Sequence, residues 1–92
     1  MVTTKMLFVV NDAGQELIFA GGNLDGDGFL TVSSKTGQDL ISAGSSTEGD
    51  GAYIALSNKT GEEIVQLYAD EYDNGVVGAY NHKGKGRTLE SK

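Results

Sequence analysis

The 92-residue chain contains no cysteine, no proline and no tryptophan. Without cysteine it can have no disulfide staple, no thiolate zinc site and no thiol nucleophile. Long apolar runs are also missing. The longest, Met6 to Val10, is far too short for a membrane span or a signal-peptide core. Positive charge is scarce: 7 Lys and Arg stand against 13 Asp and Glu, a net charge of −6. That balance disfavours nucleic acid and anionic membrane as partners. Leu, Ile, Val and Phe make up 22 of the 92 residues, little above the share of about 20% below which chains tend to stay disordered. One small domain, or part of a longer array, is the expectation, and a lone copy would have a marginal core.

Glycine, by contrast, is abundant. Fourteen glycines are about twice the usual share of roughly 7%, which argues for many tight turns and against a helical protein. The charge is uneven along the chain. Residues 1–82 hold 3 Lys against 12 Asp and Glu, whereas Lys83, Lys85, Arg87 and Lys92 outnumber Glu90 in the last ten residues. An acidic body ends in a basic tail. Such a tail either aids solubility or contacts the acidic body of a neighbouring copy or the next domain, and the second role predicts weakening by salt.

The main signal is an internal repeat. Asn11-Asp12-Ala13-Gly14 recurs as Ser34-Lys35-Thr36-Gly37, Asn58-Lys59-Thr60-Gly61 and Asn81-His82-Lys83-Gly84. Between these lies a second glycine motif: Asp25-Gly26-Asp27-Gly28, Glu48-Gly49-Asp50-Gly51 and, more loosely, Tyr72-Asp73-Asn74-Gly75. Apolar pairs keep the same step. Leu7 and Val9 correspond to Leu30 and Val32, Ile54 and Leu56, and Val77 and Ala79. After the first-type turns, Leu17-Ile18 corresponds to Leu40-Ile41 and Ile64-Val65, while Arg87-Thr88 replaces the pair in the last, truncated unit. The units run over approximately 5–28, 29–51, 52–75 and 76–92 of a single β-repeat domain.

Each unit reads as two short strands and two turns. Asn-x-x-Gly suits a type I turn closed by a glycine at positive φ, the three-residue hairpin loop with a G1 bulge. The expected fold is therefore all-β, with about eight short antiparallel strands in hairpin-like units. A meander is favoured because Asn-x-x-Gly reverses a chain; a β-solenoid or an up-and-down barrel is the alternative. Alternation places Leu7, Val9, Leu30, Val32, Ile54, Leu56 and Val77 on one face. Phe8, Val10, Phe29, Tyr53, Val76 and Tyr80 fall on the other. Two apolar faces with few bulky residues per unit are thin for a self-contained barrel. A homo-oligomer is expected instead, a trimer forming a β-prism or rod.

With its paired apolar residues, Asn/Asp-x-x-Gly turn, second apolar pair and Asp-Gly-x-Gly turn, the unit resembles β-repeat arrays of uncharacterised bacterial envelope-associated proteins. Leu30 to Gly51, Ile54 to Gly75 and the closing Gly84-Lys85-Gly86-Arg87-Thr88-Leu89 carry the resemblance. It implies an oligomeric spacer or presentation module of the cell envelope or extracellular space. It brings no catalytic residues.

Candidate chemistry is sparse. Asn23, Asp25 and Asp27 resemble the first half of a calcium loop, yet position twelve, which needs a bidentate acid, is Ser34. The corresponding positions of the other units, Ser46, Glu48 and Asp50 and then Asp70, Tyr72 and Asn74, fit less well. An acidic hairpin turn is the simpler reading. His82, the one histidine, sits in a turn with no nucleophile signature around it. No phosphate loop and no carboxylate pair in an apolar pocket is in view, so no enzyme and no cofactor is expected. Tyr53, Tyr68, Tyr72 and Tyr80 suit a glycan surface or a subunit contact alike. The expectation is a structural module that assembles with itself and spaces or displays neighbouring segments. The structural residues are Gly14, Gly37, Gly61 and Gly84 for turns, with the Leu7, Leu30, Ile54 and Val77 row for packing. A glycan- or calcium-dependent binding module, or one contacting a neighbouring protein domain, is the alternative.

Overall fold

The computed structural model describes residues 1, 3–45 and 51–91. The repeat folds as eight strands: β1 Met6–Val10, β2 Glu16–Gly22, β3 Gly28–Ser33, β4 Asp39–Ser45, β5 Ala52–Ser57, β6 Glu63–Ala69, β7 Gly75–Tyr80 and β8 Gly86–Glu90. Each pairs antiparallel with the next, in the order β1-β2-β3-β4-β5-β6-β7-β8. Among the described residues only consecutive strands touch. The sheet is an open meander with β1 and β8 as its edges. It is neither closed into a barrel nor coiled into a solenoid of parallel rungs.

The turns explain the regularity. Six connections lie among the described residues, starting at Asn11, Asn23, Ser34, Asn58, Asp70 and Asn81. In each, the fourth residue's N–H donates to the first residue's carbonyl at 2.9–3.1 Å, and the first residue's N–H donates to the fifth carbonyl at 2.7–3.0 Å. The side-chain oxygen of the first residue accepts two more backbone N–H groups at 2.9–3.3 Å. One short polar side chain thus satisfies donors that would otherwise be left to water. The fourth residue takes positive φ: Gly14 +80°, Gly26 +89°, Gly37 +88°, Gly61 +94°, Gly84 +85°, and Asp73 +66° at the turn from Asp70. The two glycine motifs of the sequence are therefore one and the same turn, read from different starting points. The turn of Glu48-Gly49-Asp50 lies outside the described residues.

The turns differ in how the next strand begins. After those at Asn11, Ser34 and Asn58 the register slips by one residue, between Val9/Val10, Val32/Ser33 and Leu56/Ser57. The extra residues are Leu17, Leu40 and Ile64, the first of each apolar pair. The β7–β8 hairpin has no slip, and Arg87 pairs regularly with Ala79. The replacement of the last apolar pair by Arg87-Thr88 coincides with the loss of the bulge.

One layer of sheet makes almost no core. The only buried hydrophobic residues described are Ala55 and Val76, each 3% exposed, with Thr31 the one buried polar residue. The accessible surface is 7008 Å², where a compact chain of this mass exposes about 5,100 Å². The radius of gyration is 14.8 Å, against about 12 Å for a compact globule of this length. The excess over a compact globule is about 1,900 Å² by the same size scaling.

Candidate functional site

The register builds two faces of different character. On the first, strand partners line up as Leu7, Ala20, Leu30, Ala43, Ile54, Leu67, Val77 and Leu89. A second row runs beside it: Val9, Ile18, Val32, Ile41, Leu56, Val65, Ala79 and Arg87. Fifteen of these sixteen positions are aliphatic, none is acidic, and the only charge sits at the β8 end. Small residues border them on the same face: Gly22 opposite Gly28, Ser45 opposite Ala52, and Ala69 opposite Gly75. We refer to this as the aliphatic face. Leu7, Leu30, Ile54, Leu67, Val77 and Leu89 are all exposed on it. Shallow relief within it is lined in part by Ala20, Leu30, Ala43 and Ile54, and nearer β8 by Leu67, Val77 and Leu89.

The opposite, mixed face covers itself only in part: Ala55 and Val76 are buried, whereas Met6, Phe8, Val10 and Phe29 stay exposed. Its rows pass through Phe8, Phe19, Thr31, Ser42, Ala55, Gln66, Gly78 and Thr88, and through Met6, Gly21, Phe29, Gly44, Tyr53, Tyr68, Val76 and Glu90. Aromatic rings lie down on glycines here. A Cβ on Gly44 would stand 2.8 Å from the Phe29 ring, and one on Gly78 would stand 2.6 Å from the Tyr80 hydroxyl. Phe8 and Phe19 pack with ring centroids 5.2 Å apart, Phe19 and Phe29 at 6.5 Å, and Tyr53 and Tyr68 at 6.2 Å. Thr31, Ala55 and Val76 are all on this face, so what core exists is here. Carboxylates also fall here: Glu16 opposite Val10, Asp39 opposite Ser33, Glu63 opposite Ser57, and Glu90 opposite Val76. The two faces thus differ in chemistry: rings, glycines and carboxylates on one, aliphatic side chains on the other.

Sequence alternation assigns Leu7, Val9, Leu30, Val32, Ile54, Leu56 and Val77 to one face, and the register joins all seven. It also adds Ala20, Ala43, Leu67 and Leu89, and Ile18, Ile41 and Val65, from the strands between. The signal for Ile18, Ile41 and Val65 was the apolar pair after each first-type turn, but the bulge conceals which member of the pair reaches the face.

The remaining candidates do not converge. Asn23 Oδ1 accepts the N–H groups of Asp25 and Asp27 at 3.0 Å each, and Asn23 Nδ2 donates to Ser45 Oγ at 3.2 Å. A cation at that oxygen would compete with the turn. Among the described residues no three His, Cys, Asp or Glu side chains gather as a metal site. Ser46, Glu48 and Asp50 lie outside the described residues. His82 is exposed in its turn, and it contributes a minor charge effect at Glu62. The Glu62 carboxyl is held below its usual range, first by the Thr60 hydroxyl at 2.6 Å and then by the Asn58 amide at 3.2 Å.

Three tyrosines, Tyr53, Tyr68 and Tyr80, lie on the mixed face, whereas Tyr72 projects from the turn at Asp70. The Tyr53 hydroxyl donates to Glu63 Oε1 at 2.6 Å. Burial, that hydrogen bond and the Glu63 charge push its pKa up to about 12. A phenol so placed anchors β5 to β6 and is a poor acid. No helix among the described residues is long and apolar enough to cross a membrane. No protein-family model matches the chain and no curated protein is significantly similar to it, so the aliphatic face itself is what the functional reading stands on.

Proposed function

We propose that the domain is a self-assembly module: copies of the chain bury their aliphatic faces against one another and so space or display whatever they are joined to. The observation that carries this reading is the pair of rows, aliphatic at fifteen of sixteen positions, that crosses all eight strands and leaves Leu7, Val9, Leu30, Ile41, Ile54, Leu67, Val77 and Leu89 exposed, while the carboxylates of the strands fall on the opposite face. Apolar patches on soluble monomers rarely exceed a few hundred Å². A face six residues by eight strands covers about 760 Å², close to the roughly 800 Å² each partner contributes to a stable interface.

Three copies suit this face. Strands of six or seven residues span about 20–23 Å. Set as the sides of a triangle, they leave the axis about 6–7 Å from each sheet, near half the spacing of about 10 Å at which sheets pack. The two aliphatic rows then meet around the axis. The border of Gly22, Gly28, Ser45, Ala52, Ala69 and Gly75 falls at a corner, where adjoining sheets leave least room. Every copy contributes the same surface, as cyclic symmetry requires. The product is a triangular rod whose height is set by the number of strands, with the carboxylate-bearing mixed face outward.

Light scattering during gel filtration tests the reading. A chain of 9.6 kDa is expected at about three times that mass or a multiple of it. A monodisperse single copy, stable on dilution, would remove the proposal.

A further inference from the structure

The two sheet edges are not alike. β8 carries Arg87 in its aliphatic row and Glu90 on its mixed face, with Lys85 just before it. An inward charge and flanking lysines are the usual means of keeping an edge from pairing. β1, Met-Leu-Phe-Val-Val, has no charge within it, and all five residues are exposed. Asn11 N–H bonds to Gln15, across the β1–β2 hairpin. By antiparallel alternation Leu7 and Val9 also turn their backbone groups to β2, leaving those of Met6, Phe8 and Val10 toward the open edge. Met6 carbonyl accepts the Thr4 hydroxyl at 2.9 Å and keeps a second lone pair.

We propose that β1 is a second, separate interface, and that its occupant is β1 of another copy, paired antiparallel about a two-fold axis through Phe8. That register sets Phe8 against the partner copy's equivalent residue, Met6 against Val10, and Leu7 against Val9. All three outward-facing residues then meet as hydrogen-bonded pairs, satisfying the free edge on both chains. The aliphatic rows run on without a break from one chain into the next. On the other face, the Phe29, Phe19 and Phe8 series continues into its mirror sequence. Charge agrees as well: Lys5 falls opposite Asn11 and beside Asp12 of the other copy. The axis is perpendicular to the sheet, so the contact is isologous and closes on itself instead of growing a filament. It is compatible with three-fold packing of the aliphatic face, where it would join two rods end to end, and it does not depend on it.

Single cysteines test the register in a chain that has none. Under mild oxidation Phe8→Cys should give a disulfide-linked pair. Met6→Cys and Val10→Cys alone should not, because their own equivalents lie about 13 Å apart. The double variant Met6→Cys/Val10→Cys should link again. Independently, Phe8→Lys sets two like charges in opposition and should halve the mass seen by light scattering, with the strand signal in circular dichroism kept. Lys5→Glu should weaken the pairing, and adding Asp12→Lys should restore it. Equal linking at all three single-cysteine positions, or an unchanged mass for Phe8→Lys, overturns the proposal. The mass series also separates the two interfaces. A wild-type pair that Phe8→Lys reduces to one copy keeps the β1 contact and removes the trimer. A wild-type trimer unaffected by Phe8→Lys does the reverse.

Discussion

Ile54→Asp puts a carboxylate at the middle of the aliphatic face, between Ala43 and Leu67 on the neighbouring strands. Ile54 leaves 38% of its surface in water in the single chain. Covering that remainder, about 70 Å², contributes about 1.7 kcal/mol per copy, or about 5 kcal/mol for three copies meeting at an axis. The substitution also places an acid in an apolar interior, where it must either stay protonated at neutral pH or keep the copies apart. Holding a carboxyl neutral three units above its ordinary value costs about 4 kcal/mol per chain. The sum far exceeds what an assembly of ordinary affinity can spare. Light scattering should show loss of the wild-type mass at pH 7 and partial recovery near pH 4. Gln66→Glu, on the mixed face of β6, should leave the mass unchanged. Equal masses for Ile54→Asp and wild type at pH 7 would refute the reasoning, since no unpaired carboxylate survives in a dry interface.

Further outcomes are expected for the turns, the covered glycine and Tyr53. Asp73→Gly should raise thermal stability by about 0.5–1 kcal/mol, since Asp73 holds a φ of +66° that glycine adopts freely; Gly61→Val, at +94°, should lower it by about 1–3 kcal/mol. Gly44→Ala should cost about 1–3 kcal/mol by lifting Phe29 off the sheet, read as a lower melting temperature and altered near-ultraviolet dichroism. Tyr53 should ionise near pH 12 in an ultraviolet titration. Its folded pKa lies above the unfolded value of 10.0, so its stabilising effect is complete below pH 10 and fades between 10 and 12. Tyr53→Phe should remove that alkaline loss.

Much of the architecture was legible because the turn chemistry is explicit. Asn or Ser followed three residues later by Gly marks a reversal, and residues alternating between reversals sort themselves by face. The equivalence of the two glycine motifs was harder to see. Asp25-Gly26-Asp27-Gly28 draws attention to its last glycine, yet Gly26 is the one at positive φ, and in the third unit Asp73 stands in its place. The even-numbered strands were obscured for a different reason. A bulge at Leu17, Leu40 or Ile64 shifts the count by one, and alternation without the register puts the wrong member of the pair on the face. The location of the small core was not readable at all. It depends on Phe29 and Tyr80 lying flat over Gly44 and Gly78, which is a matter of cross-strand and side-chain geometry.

Because each strand touches only the ones before and after it, the sheet behaves as a ladder in one dimension. A hairpin could be duplicated or deleted between any two turns, lengthening or shortening the whole by about 10 Å without asking any distant residue to change. Changes must come in pairs, since a lone strand would reverse the chain and exchange the two ends. Height is thus a quantity that duplication can tune in hairpin-sized steps.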